Sequence, residues 1–425
     1  MILKIYQFLT VLLSPVVDIY MIIRLIKGKE DKKRINERFG YSSVKRPSGD
    51  IIWFQCASVG ESNSAMPLME KIMEKYNNNV TILITTGTKT SAEIISKKLE
   101  GKKNIIHQYT PIDKFFVINR FLKFWKPKVL ITIESEIWPN MISLSHKHCE
   151  KVMIVNAKMS EKSFKRWGMF PNFEKSIYNS IDICYPQSED DQRRLIMLGV
   201  QNTIFLGNLK FNVQKLSVNS EYLEKFKKEI GKRKVVLCAS NHSNESEVIL
   251  NLFNNLKNNY PDLIFILALR HSSKSDEIFN FFTSKNKVVK RKSLNENIDL
   301  NTDFYMYDEM GNMGALYEFS NIVLMCGSLV DGIGGHTPVE PAKHSCAILT
   351  GPYIRNNKSL FRELKKNNAC IISSNNIVED LHSNIVRLMD NKDEVVSMQK
   401  NALVVCEKFS HVANDVAKSI VFNLE

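Results

Sequence analysis

The stretch Ile51–Ser62, IIWFQCASVGES, decides the fold, because an apolar run gives way at once to small and polar residues. The run 51–56 has the length and composition of a buried strand, and apolar positions at helical spacing follow over 62–76. Ser58 and Glu61 fit a capping box, in which both side chains satisfy free N–H groups at a helix start. A carboxylate just beyond a strand also lies where open α/β sheets carry out chemistry. Glu61 is therefore either a helix cap or a catalytic group.

The same alternation of strand and helix continues along the chain in two series. The first series predicts strands at 51–56, 79–86, 128–133, 151–156, 181–185 and 203–206, with helices at 62–76, 90–99 and 188–198. The second series predicts strands at 234–240, 262–270, 304–308, 321–328, 346–351 and 369–373, and helices over 377–424. Strands that alternate with helices of this length indicate βαβ units and parallel sheets.

The predicted architecture is α/β, with two Rossmann-like doubly wound domains that face each other across a cleft. A polar, lysine-rich stretch separates the two series. The expected boundaries are 1–26 for a membrane anchor, 27–211 for the first domain, 212–233 for a linker and 234–425 for the second domain. Functional groups are expected in the loops after the strands, where open sheets bind their ligands.

Composition narrows the class of protein. A chain of 425 residues with 44% hydrophobic and 24% charged residues is typical of a folded protein of two domains. The net charge of +13 favours an anionic partner, which could be nucleic acid, an acidic membrane surface or a phosphorylated substrate. The eight cysteines are scattered, with no Cys-x-x-Cys pair, and this pattern indicates buried thiols rather than a disulfide framework or a zinc site. We expect no metal.

The N-terminal segment 5–26, IYQFLTVLLSPVVDIYMIIRLI, is mostly apolar but is interrupted by Pro15, Asp18 and Arg24. It is marginal in length for a spanning helix, so it is predicted either to span a membrane once or to lie in the interface. The basic stretch KGKEDKKRINER follows it and would place the rest of the chain on the cytoplasmic side. The alternative is a buried N-terminal helix.

The glycine-rich stretch Gly327–Pro341, GSLVDGIGGHTPVEP, is the strongest local signal for a ligand. Its four glycines permit close approach of backbone N–H groups to an anion. A helix is predicted to begin at Thr337-Pro338 with the proline at N1, where helix N-termini bind phosphate. Glu340 could accept both ribose hydroxyls of a nucleotide, or it could complete a capping box with Thr337. The stretch is neither a Walker A loop nor a Gly-x-Gly-x-x-Gly fingerprint.

Further candidate residues follow other strands. Arg270-His271 ends LIFILALRH, where an arginine can clamp phosphate oxygens or remain a surface charge. Lys210 in GNLKFN could offset negative charge on a leaving phosphate, or it could be a solvated lysine. Glu134 and Glu136 in ESEIWPN could stabilise a cationic transition state or orient a base, or they could cap the turn before Pro139. The sequence does not choose between these two glutamates.

Taken in order, the motifs resemble those of the 3-deoxy-D-manno-octulosonic acid (Kdo) transferases of lipid A biosynthesis, which are two-domain GT-B glycosyltransferases. The resemblance covers essentially the whole chain, and eight motifs after the apolar anchor carry it. They are RINERFG, SVGE, TTGTKT, ESEIWPN, NAKMSEKS, GNLKF, the Arg-His pair after a strand, and GGHTPVEPA.

The resemblance implies an inverting transfer of Kdo from CMP-Kdo to a lipid A precursor, lipid IVA, in the inner core of lipopolysaccharide. The acceptor would bind to the first domain and CMP-Kdo to the second, at the cytoplasmic side of the bacterial inner membrane. By resemblance, Glu61 is the general base that takes the proton of the acceptor hydroxyl, and Glu134 and Lys210 stabilise the transition state. No metal or cofactor is implied.

The segments that would bind CMP by the same resemblance are Arg270, His271, Gly311, Asn312, Met313, Thr337, Pro338, Val339 and Glu340. Four positions depart from the family pattern, with Thr337 in place of an asparagine, Leu269 in place of a proline and Asn312-Met313 in place of Glu-Leu. Two alternatives stay open. One is another GT-B sugar-nucleotide enzyme, a UDP-sugar transferase or an epimerase; the other is a non-catalytic membrane-associated nucleotide-binding protein. A nucleic-acid binder has only the charge in its favour.

Overall fold

The computed structural model describes residues 2–425, which form two compact units. The first unit contains the residues up to Asn212 together with His411–Glu425, and the second unit contains Val213–Ser410. Each unit is built on one parallel sheet with helices on both faces, as the alternation of strands and helices predicts. The predicted α/β class with two doubly wound domains is confirmed.

The sheet of the first unit has six strands in the order β3-β2-β1-β4-β5-β6, the doubly wound order of Rossmann folds. Its strands are β1 Ile51–Cys56, β2 Thr81–Thr86, β3 Ile105–Tyr109, β4 Val129–Ile133, β5 Lys151–Ala157 and β6 Ile183–Pro186. Strand β3 escaped prediction because its polar sequence IIHQY occupies the edge of the sheet. The strand predicted at 203–206 is reduced to a single bridge between Cys184 and Thr203.

Eleven helices surround this sheet within the described residues. They are α1 Ile2–Leu12, α2 Ser14–Ile26, α3 Ile35–Arg38, α4 Val59–Lys75, α5 Lys89–Lys98, α6 Phe115–Trp125, α7 Pro139–His148, α8 Glu161–Trp167, α9 Phe173–Tyr178, α10 Glu189–Met197 and α19 Val412–Phe422, with a 3₁₀ turn at Leu209–Asn212. Strand β1 is buried along its whole length, and α4 begins three residues after it. The opening stretch IIWFQCASVGES is therefore the first βα unit of the sheet.

The C-terminal helix α19 corrects the predicted boundary 234–425. It packs on α4 in the first unit and buries the apolar face that contains Val416 and Ile420. The Ser419 hydroxyl lies 2.8 Å from that of Tyr185, and the Ala413 N–H donates to the Asn212 side chain at 3.1 Å. The sequence shows that this helix has an apolar face, but an apolar stripe carries no information about which sheet it covers.

The sheet of the second unit has seven strands in the order β13-β12-β11-β7-β8-β10-β9. Its strands are β7 Val235–Asn241, β8 Ile264–Leu269, β9 Val289–Arg291, β10 Phe304–Tyr307, β11 Ile322–Met325, β12 Ala347–Thr350 and β13 Cys370–Ile372. Its helices are α11 Ser220–Ile230, α12 Ser246–Asn259, α13 Ser275–Ser284, α14 Met313–Phe319, α15 Val339–Lys343, α16 Lys358–Lys366, α17 Ile377–Asp390 and α18 Lys392–Lys408, with 3₁₀ turns at Ser243–Glu245, Ser272–Lys274 and Lys292–Leu294.

The segment predicted as a linker, 212–233, is mostly part of the second unit. Helix α11 occupies Ser220–Ile230 and buries Leu223, Phe226 and Ile230. The Phe226 ring lies 5.7 Å from that of Tyr305 in β10 and 5.0 Å from that of Phe319 in α14. The lysine-rich composition that suggested a linker belongs to the exposed face of this amphipathic helix.

The apolar N-terminal segment forms two helices where the sequence predicts one. Pro15 lies in the first turn of α2, where its missing N–H is tolerated, and the chain bends by 53° between α1 and α2. Within residues 2–425, no single helix is long and apolar enough to cross a membrane by itself, although α1 and α2 together meet that test of length and composition. Polar contacts fix the pair to the first unit: Tyr6 donates to Asp113 at 3.0 Å, and Lys114 pairs with Asp18 at 2.5 Å.

Candidate active site

Three glutamates gather at the carboxyl edge of the first sheet. Glu61 follows β1, while Glu134 and Glu136 follow β4, and these two strands are neighbours in the sheet. The negative charges of Glu136 and Glu134 both contribute to the raised pKa of Glu61, so the three side chains lie within electrostatic reach of one another. We call Glu61, Glu134 and Glu136 the carboxylate cluster.

Glu61 is the third residue of α4, as the capping box predicts, but only half of that box forms. The Ser58 hydroxyl accepts the Glu61 N–H at 3.3 Å, whereas the Glu61 carboxylate accepts the N–H of Ala57 at 2.6 Å and not that of the N-cap Ser58. Burial, together with the negative charges of Glu136 and Glu134, raises the pKa of Glu61 to about 7, against the lowering effects of the Ala57 N–H and the Ser58 side chain. A carboxyl group with a pKa near neutral suits a general base. The start of α4 and the Ala57 N–H therefore orient a side chain whose proton affinity fits catalysis.

Glu134 is tied to Lys210 by an ion pair of 2.7 Å, in which the carboxylate is 11% exposed and the lysine side chain 19%. Glu134 also adopts a φ of 59°, in the left-handed region that side chains other than glycine seldom occupy. Its N–H donates to Val155 O at 3.0 Å, which fixes the turn on β5. Such strain persists where the surroundings over-determine it, as at functional sites. The structure thus brings two of the sequence-predicted residues into direct contact.

Glu136 has a different partner. Its carboxylate accepts the Trp138 indole N–H at 2.8 Å, and burial, followed by the negative charge of Glu134, raises its pKa. The two glutamates of ESEIWPN therefore differ in environment, because Glu134 has a cation beside it and Glu136 has only a neutral donor. Of the two, Glu134 is the one held as an ion pair.

Lys158 is a residue of this edge that the sequence analysis missed. It follows β5, and its pKa is lowered by burial and by the positive charge of Lys210, while the charge of Glu134 opposes that shift. Two lysines therefore lie close to the same carboxylate. The signal was present in NAKMSEKS, where a lysine follows an apolar strand, but a chain with so many lysines gives no reason to single one out.

In the second unit, the residues predicted to bind a nucleotide also gather at one sheet edge. Arg270 and His271 follow β8, whose neighbour β10 leads to Gly311–Met313. Burial raises the pKa of Glu340 and the Arg270 charge opposes that shift, which places the guanidinium within electrostatic reach of the carboxylate. A guanidinium beside a buried carboxylate is a suitable pair for the phosphate and ribose of a nucleotide.

Two histidines join this edge that were not singled out from the sequence. The His242 and His336 rings stack with an interplanar angle of 7°, and their Nε2 atoms lie 2.8 Å apart. Burial, the Arg270 charge and the neighbouring histidines lower the pKa of His336 to about 4. The two rings are therefore neutral near pH 7 and can share one proton between the facing nitrogens.

The glycine-rich stretch does not cradle an anion in the way that its composition predicts. The buried Glu245 carboxylate already accepts the N–H groups of Gly327 at 2.8 Å, Ser328 at 3.1 Å and Leu329 at 3.0 Å. It also accepts the His242 N–H at 3.2 Å. The prediction is wrong for these three loop N–H groups, because a protein carboxylate occupies them. Glu245 escaped notice in SNHSNESE, since nothing local indicates that its partners lie some eighty residues further on.

The helix predicted at Thr337-Pro338, with Pro338 at N1, begins one residue later than expected. Helix α15 starts at Val339 with Pro338 as its N-cap, so the proline is not at N1. Thr337 accepts the Val339 N–H at 3.4 Å. The capping box of Thr337 and Glu340 does not form, because Pro338 is the N-cap and Glu340 is therefore the second helical residue instead of the third.

The turn Gly311–Met313 has the geometry that its sequence allows. Gly311 and Asn312 both have positive φ, 101° and 49°, and Asn312 is the N-cap of α14, which begins at Met313. The Tyr307 hydroxyl donates to Gly311 O at 2.9 Å and fixes the turn against β10. Glycine and asparagine tolerate positive φ better than most residues, so the backbone of this turn suits its sequence.

Metal-ligating groups do not cluster in the part of the chain that the structure describes, as no set of three or more His, Cys, Asp or Glu side chains is placed to hold an ion. All eight cysteines are free thiols, and seven of them are buried.

Some known proteins resemble this chain in fold, and others resemble it in sequence. A glycosyltransferase from Rickettsia africae superposes with a TM-score of 0.61 at 12% identity, covering 89% of this chain and 99% of its own. A UDP-GlcNAc 2-epimerase from Neisseria meningitidis gives 0.58 at 14% identity, covering 88% and 99%. These likenesses concern the fold alone, and they define the chain as an α/β protein of the GT-B class.

Sequence relatives give the family. Residues 33–213 match the family described as 3-Deoxy-D-manno-octulosonic-acid transferase (kdotransferase). A 3-deoxy-D-manno-octulosonic acid transferase of Rickettsia bellii is 34% identical over 419 residues, which is 98% of each chain, and one of Haemophilus influenzae is 29% identical over 395 residues, 91% of each. The chain belongs to the Kdo transferase family, and it is a glycosyltransferase. The resemblance drawn from the eight motifs is confirmed.

Proposed function

We propose that this enzyme transfers Kdo from CMP-Kdo to a hydroxyl group of a lipid A precursor, lipid IVA, with inversion at the anomeric carbon, in lipopolysaccharide inner-core biosynthesis. The observation that supports it most is Glu61, a carboxylate oriented by its own helix start and titrating near pH 7 within the carboxylate cluster. Such a group can take a proton from a sugar hydroxyl under physiological conditions.

The proposed step conserves atoms and charge. The acceptor oxygen forms a bond to the anomeric carbon of Kdo while its proton passes to Glu61, and the bond from that carbon to the phosphate oxygen of CMP breaks, so that CMP leaves with the electron pair. The sugar gains positive charge in the transition state, which nearby carboxylates stabilise. Glu134 is suited to this role, and Lys210 holds it in place through the 2.7 Å ion pair.

The second unit is proposed to bind the donor. Arg270 and His271 would contact the phosphate and Glu340 the ribose, while Gly311–Met313 and Thr337–Val339 would supply backbone contacts. The reach of Arg270 to both Glu340 and His336 supports this assignment, because one guanidinium could then bridge phosphate and sugar. The N–H groups of Gly327, Ser328 and Leu329 would not contact the donor, because they already donate to the Glu245 carboxylate. We expect the transfer to require no metal or cofactor.

The first unit is proposed to bind the acceptor at the cytoplasmic surface of the bacterial inner membrane. Helices α1 and α2 expose most of their apolar side chains, among them Phe8 at 65% and Ile19 at 59%, while fixed contacts hold the pair to the unit. Exposed apolar surface of this kind favours burial in a bilayer interface. The net charge of +13 favours an anionic leaflet and an acceptor that bears phosphates.

The test is transfer from CMP-Kdo to lipid IVA in mixed micelles, with products resolved by mass and with parallel samples that contain a chelator. A product heavier by one or more Kdo residues supports the function, and an unchanged rate with chelator supports the metal-free step. Calorimetric titration with CMP and UDP separates the rival sugar-nucleotide enzymes. Tighter binding of UDP together with the absence of a Kdo product would contradict the proposal.

A further inference from the structure

The motif RINERFG is part of the family signature, yet none of its residues belongs to the carboxylate cluster. Its Arg38 is almost completely buried, with a side chain 7% exposed, and its guanidinium has three acceptors. Nε donates to Glu30 at 3.0 Å, one terminal nitrogen to Thr110 O at 3.1 Å and the other to Gly87 O at 2.6 Å. Thr110 and Gly87 directly follow β3 and β2 at the same sheet edge as Glu61.

Gly87 connects Arg38 to the start of α4. While its carbonyl accepts from Arg38, its N–H donates to Ala57 O at 3.3 Å. A Cβ atom at this position would lie 2.9 Å from Ala57 O, so only glycine permits the close approach. Ala57 is the residue whose N–H donates to the Glu61 carboxylate at 2.6 Å. Two residues, Gly87 and Ala57, thus connect the guanidinium of Arg38 to the Glu61 carboxylate through a series of hydrogen bonds.

A second contact runs from Arg38 to β1. Thr110, whose carbonyl accepts from Arg38, donates its hydroxyl to Gln55 Oε1 at 3.1 Å, and Gln55 lies two residues before Ala57. Both loops whose carbonyl groups accept from Arg38 are therefore hydrogen-bonded to residues at or just after the end of β1. Removal of the guanidinium would leave two carbonyl groups and the Glu30 carboxylate without this donor in a buried site, which favours movement of these loops.

Glu30 extends the same network to the N-terminal helices. Its second oxygen accepts from Arg24 of α2 at 2.7 Å, and Glu30 is itself buried. Arg24, Glu30 and Arg38 form a continuous ion-paired chain from α2 to the loops at the sheet edge, and we call these three residues the arginine relay. The helices with the exposed apolar faces are therefore connected, through defined polar contacts, to the turn that carries Glu61.

We propose that Arg38 is a positioning residue for catalysis, which holds the Ala57–Glu61 turn in its reactive geometry through Gly87 and Thr110 and connects that turn to α2 through Glu30 and Arg24. The inference rests on the proposed role of Glu61 as the general base. It assigns to the arginine relay an effect on the chemical step and not on the binding of the donor, whose proposed residues all belong to the second unit.

The test compares Arg38→Met with Arg46→Met in the full chain. Arg46 is a matched control, because its guanidinium also donates to three backbone carbonyls, those of Trp125, Pro47 and Gly49, but lies before β1 in the sequence and has no contact with Gly87 or Thr110. The readouts are kcat for Kdo transfer, CMP affinity, and hydrogen–deuterium exchange of peptides that cover 54–62. Arg38→Lys, which keeps the charge but not the three-way donation, is included in case Arg38→Met folds poorly.

We expect Arg38→Met to lower kcat by about tenfold or more and to accelerate exchange over 54–62, with CMP affinity unchanged. Arg38→Lys should fall between Arg38→Met and the wild type, and Arg46→Met should keep kcat within about twofold. Unchanged exchange over 54–62 in both Arg38 variants, or faster exchange with wild-type kcat, would overturn the inference. A parallel Glu61→Gln variant separates the two proposals. Wild-type activity in that variant would show that Glu61 is not the base, and the proposed function of Glu61 would fail. If Glu61→Gln is inactive, the Arg38 variants alone decide whether Arg38 positions the base.

Discussion

The Glu61 carboxylate accepts the Ala57 N–H at 2.6 Å, across the turn that joins β1 to α4. This contact joins the third residue of α4 to the residue before the N-cap Ser58, and it fixes the direction of a carboxylate with a pKa of about 7. The N–H group alone would lower that pKa, so the raised value shows that burial and the other two glutamates outweigh it. Backbone contacts at the start of α4 therefore orient a carboxyl group that has the proton affinity required of the proposed general base.

The raised pKa of Glu61 has a cost in stability at alkaline pH. A carboxyl whose folded pKa lies above its unfolded value favours folding in its protonated form, and this contribution is lost as the pH rises from about 4.5 to about 7. We expect Glu61→Gln to stabilise the protein by up to about 3 kcal/mol at pH 8 and to have little effect at pH 4.5. Denaturant unfolding at the two pH values measures the difference.

Glu394→Gln is the matched control for that experiment. Glu394 also occupies the third position of a helix, α18, where its N–H donates to the Asn391 cap at 3.1 Å, but it has no part in the proposed chemistry. This variant should show no comparable gain at pH 8. Equal stabilities of the wild type and Glu61→Gln at both pH values would mean that the folded environment does not disfavour the ionised carboxylate.

The ion pair between Lys210 and Glu134 should respond differently to single and double substitution. Lys210→Met removes the cation that pairs directly with a carboxylate of 11% exposure, and the loss of one partner of this largely buried pair should cost up to about 3 kcal/mol. Lys210→Met combined with Glu134→Gln should recover most of that stability, because the carboxylate charge that lost its partner is removed as well, but should not recover activity. Full activity in the double variant would exclude the pair from the transfer step.

Glu245 should support the donor site without touching the donor. Glu245→Gln replaces one of two acceptor oxygens by an amide donor that faces backbone N–H groups, so we expect the glycine-rich loop to shift and CMP affinity to fall about tenfold or more. Asp303→Asn is the control, since Asp303 accepts the Val288 N–H before β10 at 3.1 Å. Calorimetric titration with CMP provides the measurement, and unchanged affinity in Glu245→Gln would contradict this role.

The exposed faces of α1 and α2 should govern attachment to bilayers. Phe8→Ser together with Ile19→Ser removes two exposed apolar side chains, each worth about 1.5–3 kcal/mol when fully buried, so binding to vesicles should weaken at least tenfold. Leu300→Ser, at a position 88% exposed in the second unit, should leave binding unchanged. Co-sedimentation with vesicles that contain phosphatidylglycerol measures both. Equal binding of the double variant and the wild type would place the contact surface elsewhere.

The sequence predicts the sheets well because buried parallel strands are continuous apolar runs, as in 51–56 and 321–328, bounded by small or polar residues. It fails for β3, because this polar strand at the sheet edge lacks such a run. It also fails for the position of α19, because an apolar helix face does not indicate which sheet it packs against. The residues of the candidate site also differ in how far local sequence could predict them. Glu61, Glu134 and Lys210 follow strands or lie in motifs, whereas three of the N–H groups that Glu245 binds belong to residues more than eighty positions further along the chain.

The measurement that tests the central claim most directly is the pH dependence of kcat/KM for Kdo transfer from CMP-Kdo to lipid IVA, in the wild type, Glu61→Gln and Glu394→Gln. In the wild type and in Glu394→Gln, we predict that kcat/KM falls below a pKa near 7, because the base must be ionised; we call this fall the acid limb. In Glu61→Gln it predicts a rate lower by about 10²–10⁴-fold and the loss of that limb, with CMP binding intact. A Glu61→Gln enzyme with the wild-type rate and the wild-type acid limb would contradict it, and the base would then have to be sought elsewhere in the carboxylate cluster.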